Sequence, residues 1–190
     1  MHDASPTGPS PRQTAHRITF RPLARQDFPL LHRWLAAPHV RAWWDDAPPT
    51  LPDIEQKYGP RVDTQVPVRV FLILTGGTPV GMIQCCRLAG DPDGERVIAI
   101  PNAIGIDYFI GDGDLCGQGL GTAAIVAFTA LVFDFYPDIT TITADPARDN
   151  HASRRALEKA GYRLHDSHVP GSAASFAPST SVIYMFERTR

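Results

Sequence analysis

The chain has 190 residues, enough for one domain with a full hydrophobic core, and its 18 basic and 20 acidic side chains leave a net charge of −2. That balance excludes a nucleic acid gripped by a basic face, no apolar run is long enough to span a bilayer, and the N-terminus lacks the charged-then-apolar order of a secretory signal. A cytoplasmic protein with a small-molecule partner is the expectation. Cys85, Cys86 and Cys116 form no C-x-x-C pair and are odd in number, and the seven histidines show no ligand spacing, so neither a disulfide framework nor a metal site is expected.

Residues 1–16 mix Pro, Ser, Gly and Thr with almost nothing apolar, which cannot offset the entropy of ordering; they predict a loose tail before a single domain over 17–190. Alternation over residues 17–23, with Ile18 and Phe20 on one side, predicts a first strand. Residues 24–37 then bring Phe28, Leu31, Trp34 and Leu35 onto one helical face before Pro38. His39-Val40-Arg41-Ala42-Trp43-Trp44-Asp45-Asp46, bounded by Pro38 and Pro48-Pro49, reads as a loop. Its tryptophans either anchor that loop on the core or, beside two carboxylates, offer aromatic faces to a cationic ligand. His32 and His39 read most simply as surface or capping residues. Pro52 and Asp53 suit the first turn of a second helix running to about Val62.

Residues 66–75 and 78–88 are apolar, β-branched runs joined by Gly76-Gly77, the clearest hairpin in the chain. A polar loop, Asp91-Pro92-Asp93-Gly94-Glu95-Arg96, precedes a short apolar strand, Ala103–Ile110, that carries one charge, Asp107. A carboxylate in such a strand is costly to bury unpaired, so Asp107 is either the partner of a basic side chain such as Arg96 or a functional group.

The strand leads into Cys116-Gly117-Gln118-Gly119-Leu120-Gly121-Thr122. Glycines at alternate positions leave backbone N–H groups uncovered, and a helix starting there adds its positive dipole end. The stretch is an anion cradle suited to phosphate, or a turn that serves tight packing. Cys116 has no motif that supplies it with a base. Residues 120–133 carry no charge, so this helix is expected to be packed on most sides. A buried strand over 139–144 ends at Asp145-Pro146, Asn150 caps a helix reaching Ala160, and Gly161 closes it. Strands over 162–169 and 182–187 finish the chain, with Gly/Ser/Pro-rich residues 170–181 between them.

The order strand, two helices, three strands, glycine turn with helix, strand, helix, two strands resembles the GCN5-related N-acetyltransferase (GNAT) family. Two segments carry the likeness. Cys116-Gly117-Gln118-Gly119-Leu120-Gly121 is similar to the family's acyl-CoA motif, Gln/Arg-x-x-Gly-x-Gly/Ala, with Cys at the first polar position. Asn150-His151-Ala152-Ser153-Arg154-Arg155-Ala156-Leu157-Glu158-Lys159-Ala160-Gly161-Tyr162 is similar to its Asn-x-x-(small)…Glu-Lys-x-Gly-aromatic segment. The implied fold is α+β: a central mixed, mostly antiparallel sheet of six to seven strands flanked by four helices. From Ile18 onward the chain also resembles the aminoglycoside N-acetyltransferases, through Pro38-His39-Val40 with Trp43-Trp44, Thr50-Leu51 with Tyr58, Gly105-Ile106-Asp107, and Ala144-Asp145-Pro146 before Asn150.

That resemblance implies acetyl-CoA as co-substrate and an aminoglycoside as the cationic amine acceptor, acetylated at a 6'- or 2'-amino group, kasugamycin included, with antibiotic resistance as the outcome. A siderophore branch that acylates lysine or hydroxylysine shares part of the pattern and is one alternative; a non-catalytic acyl-CoA-binding module is the other. Monomer and homodimer are both open. The implied pyrophosphate site is the backbone of Gly117, Gln118, Gly119, Leu120, Gly121 and Thr122. The backbone of Tyr108, Phe109 and Ile110 is implied to meet the pantetheine arm and thioester oxygen, and Asn150 the arm as well.

Asp107 is implied to hold the substrate ammonium and to act as, or organise, the base, a role that suits a carboxylate. Asp145 is implied as a second substrate carboxylate, with helix capping as its plain alternative. Trp43, Trp44, Asp45, Asp46 and Glu95 complete the implied acceptor site. Arg154 and Arg155 either touch cofactor phosphates or decorate a solvated helix face. One departure stands out: family members often carry a Tyr that protonates the departing thiolate where this chain has Leu157, and Tyr108 and Tyr162 are the phenols left to consider.

Overall fold

The computed structural model describes residues 17–44, 48–88, 100, 102–165 and 181–188. Asp45, Asp46, Glu95, Arg96 and the expected tail over 1–16 lie outside them. The period-2 runs become one seven-stranded sheet: β1 (Ile18–Pro22), β2 (Val68–Thr75), β3 (Thr78–Arg87), β4 (Ala103–Ile110), β5 (Thr141–Ala144), β6 (Arg163–His165) and β7 (Ile183–Glu187), in the spatial order β1-β2-β3-β4-β5-β7-β6. Every neighbouring pair is antiparallel except β4 and β5. The β2–β3 hairpin turns on Gly76 and Gly77, both at positive φ, as a two-residue connection requires.

Alternation on the strands sorts the core into two layers. Val70, Leu72, Met82 and Phe109 pack with Phe28, Leu31, Trp34, Val40, Ile54 and Tyr58, which belong to α1 (Phe28–Ala36), α2 (Pro38–Trp44) and α3 (Leu51–Val62). Phe71, Ile73, Ile83, Ile104 and Ile106 face the other way, onto α4 (Leu120–Phe135) and α5 (His151–Lys159). Thr50 caps α3 by accepting from the Asp53 N–H while Asp53 accepts from the Thr50 N–H, a reciprocal box that fixes where this helix starts.

One expectation needs revision. The segment read as a loop after Pro38 is a two-turn helix, α2, which gives five α-helices in all among the described residues. Pro38 ends α1 and also opens α2, because the first helical position needs no N–H donor; extended Ala37 separates the two. The helix α4, expected to be packed on most sides, buries Leu120, Ala124, Ile125, Phe128, Thr129 and Val132 and exposes Val126, Ala130, Asp134 and Phe135. Arg69 lies over the Phe135 ring, 4.9 Å from its centre.

Parallel pairing of β4 with β5 covers only Ala103 to Gly105 against Thr141 to Thr143. Beyond Gly105, β4 continues alone on that side while staying paired with β3 up to Ile110. The sheet therefore splays at its centre. No helix among the described residues is long and apolar enough to cross a membrane, and no cluster of His, Cys, Asp or Glu among them could hold a metal ion.

Candidate active site

A cleft of about 680 Å³ opens along that splay, walled by β4, the glycine turn, α2, α3 and the first turns of α5. Its floor is backbone. The Ala103 carbonyl accepts from the Leu88 N–H and the Gly111 N–H donates to Val80, so odd-numbered residues of this stretch direct their peptide groups to the β3 side. Even-numbered Ile106, Tyr108 and Ile110 direct theirs into the gap left by β5. Of the three residues expected to supply backbone donors, Tyr108 and Ile110 are aimed at the cleft, while Phe109 uses its peptide within the sheet.

At one end lies the glycine turn. Gly117 and Gly119 have φ of 77° and 85°, values that favour glycine, and Gly119 is the left-handed N-cap of α4 with no side-chain cap bond. The first N–H groups of α4 thus have no partner within the helix or from a capping side chain. A Cβ at Gly117, Gly119 or Gly121 would meet nothing within 4 Å, so packing against neighbours does not explain these glycines. Open backbone donors at the positive end of a sixteen-residue helix make an anion cradle that fits a pyrophosphate. Gly117, Gly119, Gly121 and Thr122 line the cleft. The side chains of Gln118 and Leu120 are turned elsewhere, Gln118 donating to the Asp114 carbonyl at 2.7 Å and Leu120 buried in the core, which leaves their peptide groups as the contribution to the turn.

Asn150 also lines the cleft and caps α5, its Oδ1 accepting from the Ser153 N–H at 3.0 Å. Asp145 is a separate cleft residue just past β5 and is not the cap of that helix. Arg155 and Lys159 stand on the α5 side of the cleft, whereas Arg154 reaches the Tyr184 hydroxyl at 3.3 Å and the Arg148 carbonyl at 2.9 Å. Exposed Cys116 keeps a thiol pushed up by partial burial and by the Asp112 charge, the wrong direction for a nucleophile.

At the other end, Asp107 sits on β4 opposite Gln84 of β3. The Gln84 side-chain amide donates to Asp107 Oδ2 at 2.9 Å and its carbonyl oxygen accepts from Arg61 Nη1 at 3.0 Å. Partnership with a basic side chain such as Arg96 was one of two readings of Asp107, beside a functional one; Arg61 of α3 is linked to it through an intervening amide. Arg61 is 6% exposed and its guanidinium also lies 5.2 Å from the centre of the Tyr58 ring. The arrangement fixes one carboxylate oxygen and sets a cation two hydrogen bonds away, while Asp107 itself lines the cleft.

Both tryptophans line the cleft. Trp44 packs edge-on against Phe109 with centroids 4.9 Å apart, anchoring α2 to the sheet. Trp43 is 47% exposed at the cleft mouth. His39, also in the cleft wall, is bonded through Nε2 to the Ile110 carbonyl at 3.0 Å, tying the start of α2 to the end of β4. Ser153, the small residue of the Asn150 segment, lines the cleft too, as do Lys57, Arg61 and Gln84, which carry no motif by which sequence reading finds them.

The acetyltransferase (GNAT) domain family matches residues 24–169. An aminoglycoside N(6')-acetyltransferase type 1 of Klebsiella pneumoniae is 32% identical over 177 residues, 91% of this chain and 87% of that one. The lysine N-acyltransferase MbtK of Mycobacterium tuberculosis is 27% identical over 145 residues, 75% of this chain and 67% of its own length. Among solved structures, AAC(6')-Ib in complex with paromomycin and acetyl-CoA superposes with a TM-score of 0.77 at 31% identity, covering 90% of this chain and 93% of that one. With the splayed sheet, the glycine cradle and these relatives together, the chain belongs to the GNAT acetyltransferase family and is an acetyl-CoA-dependent N-acetyltransferase.

Proposed function

We propose that the acceptor is an aminoglycoside, acetylated on its 6'- or 2'-amino group, kasugamycin among the candidates, and that the outcome is antibiotic resistance. The observation that carries this reading is Asp107: a carboxylate at the splay of β4 and β5, held on one oxygen by Gln84, in the same cleft as the glycine cradle. Placed there, Asp107 attracts an ammonium group and takes its proton directly or through water. The peptide N–H groups of Tyr108 and Ile110 face the gap where the thioester oxygen would lie, and one such donor contributes about 3 kcal/mol to the transition state. Asn150 would hold the pantetheine arm, and Gly117 through Thr122 the pyrophosphate. Asp145 and Trp43 extend the acceptor side, the first as a second carboxylate and the second as an aromatic face for a cation.

A lysine-type acceptor is the second reading, favoured by Lys57 and Arg61 on the α3 wall, which suit the α-carboxylate of an amino acid. One experiment separates the two: thiol release from acetyl-CoA measured against kanamycin, gentamicin, kasugamycin and lysine or hydroxylysine derivatives, followed by locating the acetyl group on the product. Turnover with an aminoglycoside and none with lysine derivatives is the expected result. The reverse pattern overturns the proposal.

A further inference from the structure

Position 157, where relatives often place a tyrosine, is a leucine that is 0% exposed and packed in the core. The α5 helix therefore presents no phenol from that turn. A phenol nevertheless reaches α5 from the sheet. Tyr108 lies one residue beyond Asp107 on β4, so its side chain leaves the opposite face of the sheet, toward α4 and α5. Its hydroxyl is 2.7 Å from Ser153 Oγ and 3.3 Å from the Ser153 carbonyl. Residues 153 and 157 are about one helical turn apart on the same face of α5, so the Tyr108 hydroxyl sits about 6 Å along the helix from where a phenol at 157 would start. Tyr108, Ser153 and Asn150 all line the cleft.

We propose that Tyr108 is the catalytic acid that protonates the departing CoA thiolate, its phenol entering from β4 in place of one from α5. The inference rests on the acetyltransferase reading and is independent of which amine is the acceptor. Asp107 and Tyr108, adjacent on one strand and on opposite faces, bracket the gap left by β5. Asp107 removes one proton from the substrate ammonium, the amine nitrogen forms its bond to the acetyl carbon, and the carbon–sulfur bond breaks with its electron pair on sulfur. The phenol proton of Tyr108 passes to that sulfur. The second proton shed by the nitrogen and the one taken by Asp107 go to solvent, and the phenolate is reprotonated from solvent through the Ser153 hydroxyl.

The hydrogen bonds allow this. When Ser153 Oγ donates to the phenol oxygen, the phenol hydrogen is held only by the longer 3.3 Å contact to the Ser153 carbonyl and is available to another acceptor. Burial pushes the phenol above its ordinary range, with the Ser153 bond pulling the other way, so it carries its proton at any working pH. Tyr162, the other phenol, is 2% exposed with its hydroxyl on Thr129 at 2.8 Å, inside the core.

The test compares wild type, Tyr108→Phe and Tyr162→Phe on whichever amine of the panel is turned over. The expected result is a loss of about a hundredfold in kcat for Tyr108→Phe with the KM for acetyl-CoA within threefold, and a change below twofold for Tyr162→Phe. A tyrosine carrying several ring fluorines at position 108 is a stronger acid and should bring an alkaline limb of kcat, absent from wild type, into the working pH range, a change that a structural role would not produce. The proposal is overturned if Tyr108→Phe keeps kcat within twofold, if its effect lies in KM alone, or if fluorination leaves the profile in place. Turnover of a lysine derivative with no aminoglycoside accepted sinks the acceptor assignment, and the Tyr108 comparison is then read on that amine.

Discussion

The two ends of the cleft are built from different materials. The donor end is backbone: peptide groups of a turn whose glycines have open space around them, plus peptide groups of a strand that has lost its neighbour. The acceptor end is side chains, with Asp107, Gln84 and Arg61 drawn from β4, β3 and α3 and joined by two hydrogen bonds. A backbone site depends on local conformation, tolerates changes in the side chains around it, and suits a ligand whose recognised part never varies. A side-chain site can be altered one residue at a time, which suits an acceptor that differs among related enzymes. The molecule should therefore respond in separable ways when each end is disturbed.

The largest separation is expected from Asp107→Asn. Asparagine can still present an oxygen to the Gln84 amide, so the packing of the relay survives while the charge is lost. We expect kcat/KM for the amine to fall by about 10²- to 10⁴-fold, with the KM for acetyl-CoA within threefold of wild type. Steady-state kinetics with both substrates varied measures this. Full turnover, or a comparable loss of acetyl-CoA affinity, would show that the two ends are not independent.

The complementary disturbance is Gly121→Asp. An acidic residue in the first turn of α4 has room for its Cβ and favours the helix by about 0.3–1 kcal/mol through the dipole. The same charge opposes a pyrophosphate. The melting temperature should hold or rise slightly while acetyl-CoA binding weakens by about 10- to 100-fold, or roughly 1.4–2.8 kcal/mol. Calorimetric titration of acetyl-CoA alongside thermal unfolding reads both quantities. A variant that binds acetyl-CoA as wild type does would remove the glycine turn from the donor site.

This division also explains what could be read from the sequence. The donor end depends on glycines at 117, 119 and 121 and on a capping Asn150, local requirements that leave a local trace. The strands and α1 announce themselves through period and apolar faces. The relay does not, because Arg61, Gln84 and Asp107 are each separated by 23 residues and meet only through the β3–β4 register and the docking of α3. Ser153 and Tyr108, 45 residues apart, meet for the same kind of reason. The helix α2 was hidden by Pro38, whose usual meaning as a stop concealed its second role as a start. In α4 the lack of charge pointed to packing on most sides, and exposure is confined to Val126, Ala130, Asp134 and Phe135, the last with Arg69 over its ring.

The smallest expected effect concerns the aromatic mouth, where Trp43 and Trp44 are neighbours in sequence and differ in what they touch. Trp44 is packed on Phe109, so its removal loosens α2 from the sheet and disturbs stability before it disturbs binding. Trp43 is exposed at the cleft and its removal leaves that packing intact. A solvated aromatic face against a cation contributes about 0.5–1 kcal/mol, so Trp43→Ala should raise the KM for a cationic amine by about two- to fivefold. Its kcat, its acetyl-CoA affinity and its melting temperature should stay near wild type. The measurement is the amine KM across acceptors of increasing positive charge, because a contact with the ring face strengthens with the cation it meets. If Trp43→Ala instead lowers the melting temperature as Trp44→Ala does, both tryptophans belong to the scaffold and the acceptor end begins deeper in the cleft, at Asp107.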